Sequence, residues 1–293
     1  MAKFVGHWFM SNTIDGTDNA DDILGMGFAD LLRGGGGRDT IDGGGGDDNI
    51  FGGDGDDKLF GGAGEDELNG GRDNDVLDGG AGDDTLNGDS GTDTFKDVRG
   101  NNTFNGGADR DTVDYSDFFG GRVRVDLAAG TAIREDKINV ANSSSFYFLT
   151  DGSDTLSSVE NIDGSNGDDI LKGNDSTNFI QGGRGNDALT GRGGVDYFVF
   201  ADNDVNFGRD TIMDFDALDQ IDLRQVDART DVGGNQSFAG FVDNFTGQSG
   251  ELILRIFSDR ATLFGDTDGD GFQDFSFQIN GDMSALSQND FML

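Results

Sequence analysis

The chain has 293 residues, 51 of them glycine and none cysteine or proline, and its 57 acidic against 20 basic side chains give a formal charge of −37. That charge argues against nucleic acid as a partner and its self-repulsion disfavours a compact state unless cations neutralise it, while the lack of cysteine excludes disulfides and thiolate metal sites as braces. With 34% of the residues apolar, a core of ordinary globular thickness is not expected along the whole length, so oxygen ligands and thin packing must hold the fold.

Residues 1–15 read as an amino-terminal cap segment. Met1 to Met10 carries Lys3, His7 and Trp8 but no uninterrupted apolar stretch of the length an export leader needs, so no cleaved leader is expected. No apolar run approaches the ~20 residues that span a bilayer, and no transmembrane segment is expected. His7, Trp8 and Phe9 are expected to pack over the first coil.

From Gly16 to Asp114 a nine-residue period runs without insertion, giving eleven units of the form G-G-x-G-x-D-x-U-x, where U is apolar. The eighth position is Ile23, Leu32, Ile41, Ile50, Leu59, Leu68, Leu77, Leu86, Phe95, Phe104 and Val113. The sixth is Asp21, Asp30, Asp39, Asp48, Asp57, Asp66, Asp75, Asp84, Asp93 and Asp111, with Asn102 the one exception. Such a unit reads as a glycine-rich turn of six residues and a strand of three whose middle side chain points inward. Two units make one coil, and stacked coils pair strands in parallel and bury one aliphatic column per side. A single coil buries almost nothing, so the fold exists only as an array.

Stacking also lines up the position-six carboxylates with the carbonyls of the glycine turns. A hard cation that accepts 6–8 oxygens with tolerant geometry fits this donor set, which selects calcium over magnesium and zinc. The expected cofactor is therefore Ca2+, several ions per chain. The candidate carboxylate ligands are Asp30, Asp39, Asp48, Asp57, Asp66, Asp75, Asp84 and Asp93. The candidate turn glycines are Gly43, Gly44, Gly46, Gly52, Gly53, Gly55, Gly61, Gly62 and Gly64. A disordered, solvated tract would not keep an apolar residue at every eighth position. Units Gly88 to Lys96, Asp97 to Asn105 and Gly173 to Gln181 lose glycines or the aspartate and are expected gaps in the ion row.

Residues 115–163 read as a β-rich connector, with alternation in Arg122-Val123-Arg124-Val125-Asp126-Leu127 and an apolar run in Ser145-Phe146-Tyr147-Phe148-Leu149, taken as short strands continuing the same wall. The nonapeptide returns over 164–200, with Asp169, Asn178, Asp187 and Asp196 at position six; Asp169, Asp187, Gly182, Gly183 and Gly185 are its candidate ligands. From 201 to 293 glycine thins and aromatic residues rise, which marks a separate β-rich domain.

The tandem G-G-x-G-x-D-x-U-x resembles the repeats-in-toxin (RTX) family. Val113-Asp114-Tyr115-Ser116 and Asp154-Thr155-Leu156-Ser157-Ser158-Val159-Glu160-Asn161-Ile162 resemble the connectors of such proteins. Asp196-Tyr197-Phe198-Val199-Phe200, Arg209-Asp210-Thr211-Ile212-Met213-Asp214-Phe215, Asp219-Gln220-Ile221-Asp222-Leu223 and Asp290-Phe291-Met292-Leu293 are similar to the carboxy-terminal domain of serralysin-type secreted proteins. The resemblance implies an all-β chain: a right-handed parallel β-roll in two arrays, followed by a capping domain that carries the secretion signal. It also implies export by a type I (ABC transporter) secretion apparatus and an extracellular location.

No catalytic residues are expected. The zinc chemistry of serralysins needs H-E-x-x-H and a third histidine, whereas this chain has His7 alone. Paired carboxylates are too common here to signal glycosidase chemistry. Asp266, Asp268, Asp270, Gly271 and Asp274 mimic an EF-hand loop, but Phe277 stands where the last glutamate belongs, leaving a weak calcium site or an acidic hairpin turn.

The sequence admits three functions. The first is a stand-alone secreted calcium-binding protein acting on a polysaccharide or cell surface, an architecture similar to the secreted nodulation proteins of this kind. The second is the non-catalytic repeat module of a polysaccharide-active enzyme such as an alginate epimerase, against which the initiating Met and short amino-terminal segment argue. The third is an adhesive or ice-binding β-roll, disfavoured because the fifth position wanders among Ala20, Arg38, Asp47, Glu65 and Thr92 instead of presenting a regular row.

Overall fold

The computed structural model describes residues 2–7, 10–96, 99–119, 121–139, 146–201, 208–229, 236–284 and 286–293. Among them the chain is all-β, a parallel β-solenoid with one 3-10 turn at Gln288–Asp290. It divides into two compact units: Met1–Asp117 with Ala129–Asn161, and Phe118–Ala128 with Ile162–Leu293.

In the first unit the nine-residue period becomes an eighteen-residue coil, because strands two units apart pair in parallel. One sheet sets Ile23 beside Ile41, Ile41 beside Leu59 and Leu59 beside Leu77; the other sets Leu32 beside Ile50, Ile50 beside Leu68 and Leu68 beside Leu86. Every one of these position-eight side chains is buried. The two columns meet in the middle, where the rings of Phe95 and Phe104 stack with centroids 5.4 Å apart. Each sheet thus contributes one side chain per coil to a core one layer deep.

The strands are longer than the three residues expected. Thr40–Gly45, Asn49–Asp54 and their neighbours run six residues, because the ladder continues through positions two and three of the following unit, as in Gly44 beside Gly62 and Gly45 beside Ala63. Positions two and four then require left-handed backbone, at Gly53 (φ 117°) and Gly55 (φ 124°) for example. Met26 and Phe28 hold the same conformation without being glycine, at a cost of about 1–2 kcal/mol each.

The solenoid begins before Gly16, since Ala2–Val5 pairs with Asp21–Leu24 and Thr13–Asp15 with Leu31–Arg33. His7 is exposed and so does not pack over the first coil, while Trp8 and Phe9 lie outside the described residues. The connector is not only short strands. Thr131–Asn139 and Phe146–Ser157 form a long antiparallel hairpin, and Thr155–Ser157 then joins Thr103–Asn105 in parallel.

In the second unit Gly121–Asp126, Ile170–Lys172, Ala188–Thr190 and Thr211–Phe215 pair successively in parallel. Parallel pairing does not stop at Ala201: Tyr197–Ala201 pairs with Gln220–Gln225, which pairs with Phe291–Met292. An antiparallel meander of Glu251–Ile256, Arg260–Asp266 and Phe275–Gly281 follows, and its last strand lies parallel to Thr211–Phe215. Phe200 stacks on Phe277 at 4.3 Å and ties the coil to the meander.

Candidate metal centre

Position six is polar by sequence and buried by structure. Asp39, Asp48, Asp57, Asp66, Asp75, Asp84 and Asp93 are all below 4% exposed, as are Asp169 and Asp187. One oxygen of each repeat carboxylate is accounted for. Asp39 Oδ1 accepts the Asp21 N–H, Asp57 Oδ1 that of Asp39, Asp75 Oδ1 that of Asp57 and Asp93 Oδ1 that of Asp75, at 2.7–2.8 Å. A second row runs the same way through Asp30, Asp48, Asp66 and Asp84. Each side chain therefore stitches its coil to the one before it.

The other oxygen is the informative one. Oδ2 of Asp30, Asp39, Asp48, Asp57, Asp66, Asp75, Asp93, Asp111, Asp187 and Asp196 is buried with no hydrogen-bond partner among the described residues. A buried carboxylate oxygen left so is costly, and a whole row of them is costly in proportion. The surroundings are oxygen as well. A Cβ on Gly43 would land on Asp48 Oδ2 and the Gly61 carbonyl oxygen, and one on Gly52 or Gly61 would meet the equivalent pair. Positions two and four bring further carbonyls close: the Cβ sites of Gly44, Gly53 and Gly62 fall on the oxygens of Met26, Gly35 and Gly44, and those of Gly55 and Gly64 on the oxygens of Gly37 and Gly46. Gly46 crowds the Phe28 carbonyl carbon, and in the second unit Gly182, Gly183 and Gly185 face Asp187 Oδ2, Ser165 O and Gly167 O.

Without a cation most of these carboxyls hold their protons to higher pH than a free aspartate. Burial first, and neighbouring carboxylates after it, push Asp48 and Asp93 up to about 6, Asp57, Asp66, Asp111 and Asp196 to about 7, Asp75 to about 8 and Asp187 to about 10. A carboxylate and carbonyl set with orphaned anionic oxygens fits a hard divalent cation, and the residues present therefore fit calcium.

The candidates are not equivalent. Asp169 has both oxygens engaged, by the N–H groups of Val123 and Ser165 and the Ser165 hydroxyl. Unit Gly88 to Lys96, expected as a gap, keeps the orphaned oxygen of Asp93, whereas Asn102 and Asn178 turn their amides to Arg99 O and Asn174 Oδ1. The rows also extend past the periodic register. Asp210 Oδ1 accepts the Asp187 N–H at 2.9 Å and Asp219 Oδ1 that of Asp196 at 3.1 Å, and both follow the D-x-U kernel, as Asp210-Thr211-Ile212 and Asp219-Gln220-Ile221. Glu160 ends one row of the first unit by accepting the Asp111 N–H at 3.1 Å.

In the meander Asp266, Asp268 and Asp274 bring oxygens within 4.8 Å of one another. Their loop already uses them: Asp266 accepts from the Gly269 and Gly271 N–H groups, and Asp274 from the N–H and hydroxyl of Thr267.

Family models match most of the chain. The RTX calcium-binding nonapeptide repeat (4 copies) matches residues 15–50, 24–59, 60–95 and 87–118, and the peptidase M10 serralysin C-terminal model matches 155–293. Among solved structures, the extracellular lipase LipA from Serratia marcescens is 17% identical over 78% of this chain, with a TM-score of 0.27, and this chain covers 40% of it. The AlgE6R3 subunit of the Azotobacter vinelandii mannuronan C5-epimerase is 18% identical over 96% of this chain and 77% of that one, with a TM-score of 0.18. No curated protein matches.

Proposed function

We propose, for a chain that is built of RTX calcium-binding repeats and a serralysin-type carboxy-terminal domain, that it is a secreted protein exported through a type I apparatus, folding on extracellular calcium and acting by binding a surface rather than by catalysis. The observation that supports the calcium step is the row of buried position-six Oδ2 atoms without hydrogen-bond partners. When bound, calcium supplies positive charge and oxygen coordination there, held by the position-six carboxylates and turn carbonyls. The chain's own part is to place those oxygens by coil stacking and to keep water out. The repeats of residues 16–114 and 164–200 form the calcium-dependent rod in this reading, and residues 201–293 cap it and carry the export signal. A polysaccharide or cell envelope is the proposed target class, and a glycan-binding screen separates an envelope protein from an epimerase-type module, which must recognise alginate.

The assignment of individual ligands is tested at Asp57. Asp57→Ala removes an anionic donor and strands the Asp39 N–H, which costs roughly 1–3 kcal/mol. Asp57→Asn keeps the amide acceptor and loses only the charge. Both variants are expected to raise the midpoint of the calcium titration, on the order of tenfold, while Asp259→Ala, at an exposed position outside the repeats, leaves it unchanged. Equal titration curves for Asp57→Asn and Asp259→Ala contradict the ligand assignment.

A further inference from the structure

The connector hairpin returns to the first unit through a cryptic half-repeat. Gly152-Ser153-Asp154-Thr155-Leu156-Ser157 has glycine, aspartate and leucine at positions four, six and eight, and it pairs in repeat register with the preceding coil, Thr103 beside Thr155 and Phe104 beside Leu156. Asp154 Oδ1 accepts the Asn102 N–H at 3.0 Å, the same stitch as in the rows above, although 52 residues rather than 18 now separate the partners.

Asp154 differs in its second oxygen. Where Asp30, Asp48 and Asp66 of this row leave Oδ2 without a partner, Asp154 Oδ2 receives the Tyr115 hydroxyl at 2.7 Å and the guanidinium of Arg134. The same guanidinium donates through its other terminal nitrogen to the carbonyl of Gly100, position four of the coil before. Both partners of the ion pair are fully buried, with side-chain exposure of 0%/0%. Gly152 makes the space, since a Cβ there would collide with Arg134 and the Gly100 carbonyl oxygen. The row changes charge at the same place: the coils before it carry Asp48, Asp66 and Asp84 at position six, but next to Asp154 the row holds the neutral Asn102, so Asp154 meets the guanidinium without a carboxylate neighbour in the row before it.

We infer that Arg134 is a tethered cation that takes the place of a calcium ion in the last gap of this row, between the Asn102 and Asp154 coils, so that this coil contact closes without calcium. A fixed positive charge bound to a position-six carboxylate and a position-four carbonyl offers what a metal ion offers to the same oxygens, at no cost in ion binding. The hairpin that delivers Arg134 then gives the first array a stacking edge that persists in chelator, from which calcium-loaded coils can propagate.

This inference rests on the proposed calcium rows, and the test separates the two. Calcium bound per full-length chain is measured by equilibrium dialysis with elemental analysis. Arg134→Ala is expected to bind one more ion than the unaltered chain, and Arg134→Ala with Asn102→Asp, which restores the second carboxylate, to bind that extra ion more tightly. Asn102→Asp alone should add none, because the guanidinium still holds the place, and Arg134→Lys keeps the unaltered count. In chelator Arg134→Ala should lose residual β signal that the unaltered chain retains. If both Arg134→Ala chains bind the unaltered number of ions, or fail to fold at saturating calcium, Arg134 is an ordinary structural ion pair and the inference is overturned. An unaltered chain that binds no calcium overturns the proposed function instead.

Discussion

In excess chelator the chain is expected to be largely unfolded at pH 8 and to regain part of its β structure as the pH is lowered toward ~5. Position-six carboxyls in the middle of the first array have folded-state values raised above the ordinary 3.8, to about 7 for Asp57 and Asp66 and about 8 for Asp75, because burial penalises the charged form. A raised carboxyl means that the folded state holds protons which the unfolded state releases. The metal-free stability is therefore greatest below the ordinary carboxylate range and is lost as pH rises through 6 to 8. Self-repulsion from a charge of −37 acts in the same direction. Calcium displaces the same protons, so its apparent affinity should climb with pH across that window and binding should release protons. Circular dichroism in chelator against pH, with proton release on calcium addition, checks both statements. A chelated chain that gains structure as the pH rises contradicts them.

Deleting Ala261 to Leu293 is expected to reduce secretion through a type I system to background and to impair calcium-dependent folding of the purified remainder. The deletion removes Phe275–Gly281, the partner of Thr211–Phe215, and Phe291–Met292, the partner of Gln220–Gln225. Buried Ile212, Phe215, Ile221 and Leu223 would face water, and two sheet edges would lose their ladders. Because Thr211–Phe215 and Gln220–Gln225 in turn pair with the second array, the loss propagates into the coils. On the proposed export route, sites with the affinity of extracellular modules would leave the arrays extended at cytosolic calcium, and ion binding outside would oppose back-sliding. Export of the truncated chain at the full-length rate places the signal elsewhere.

The repeat chemistry was legible because each side chain in it does one thing. Position eight is apolar in all eleven units of the first array and becomes the two buried columns between Ile23 and Val113; position six is Asp in all but the Asn102 unit and becomes the buried rows. Asp210 and Asp219 lie outside the nine-residue register because their row partners are 23 residues away instead of 18, an insertion that breaks the period while leaving D-x-U intact. The half-repeat at Gly152–Ser157 was hidden the same way, behind the hairpin that separates it from Asn102. Arg134 carried no local signal at all. Its neighbours Tyr115, Asp154 and Gly100 come from three separate segments, and only the fold puts a guanidinium where the other coils leave an orphaned oxygen. Six-residue strands were unexpected for a related reason, since glycine has low strand propensity and here pairs because stacked turns force identical backbones together.

A calcium titration of the purified full-length chain at pH 7.5, followed by far-ultraviolet circular dichroism and starting in excess chelator, bears most directly on the proposed calcium rows. The β signal is expected to rise cooperatively with calcium in the ~0.1–1 mM range of extracellular modules and not to rise with magnesium at the same concentrations. A native-like β spectrum before any calcium is added would contradict it.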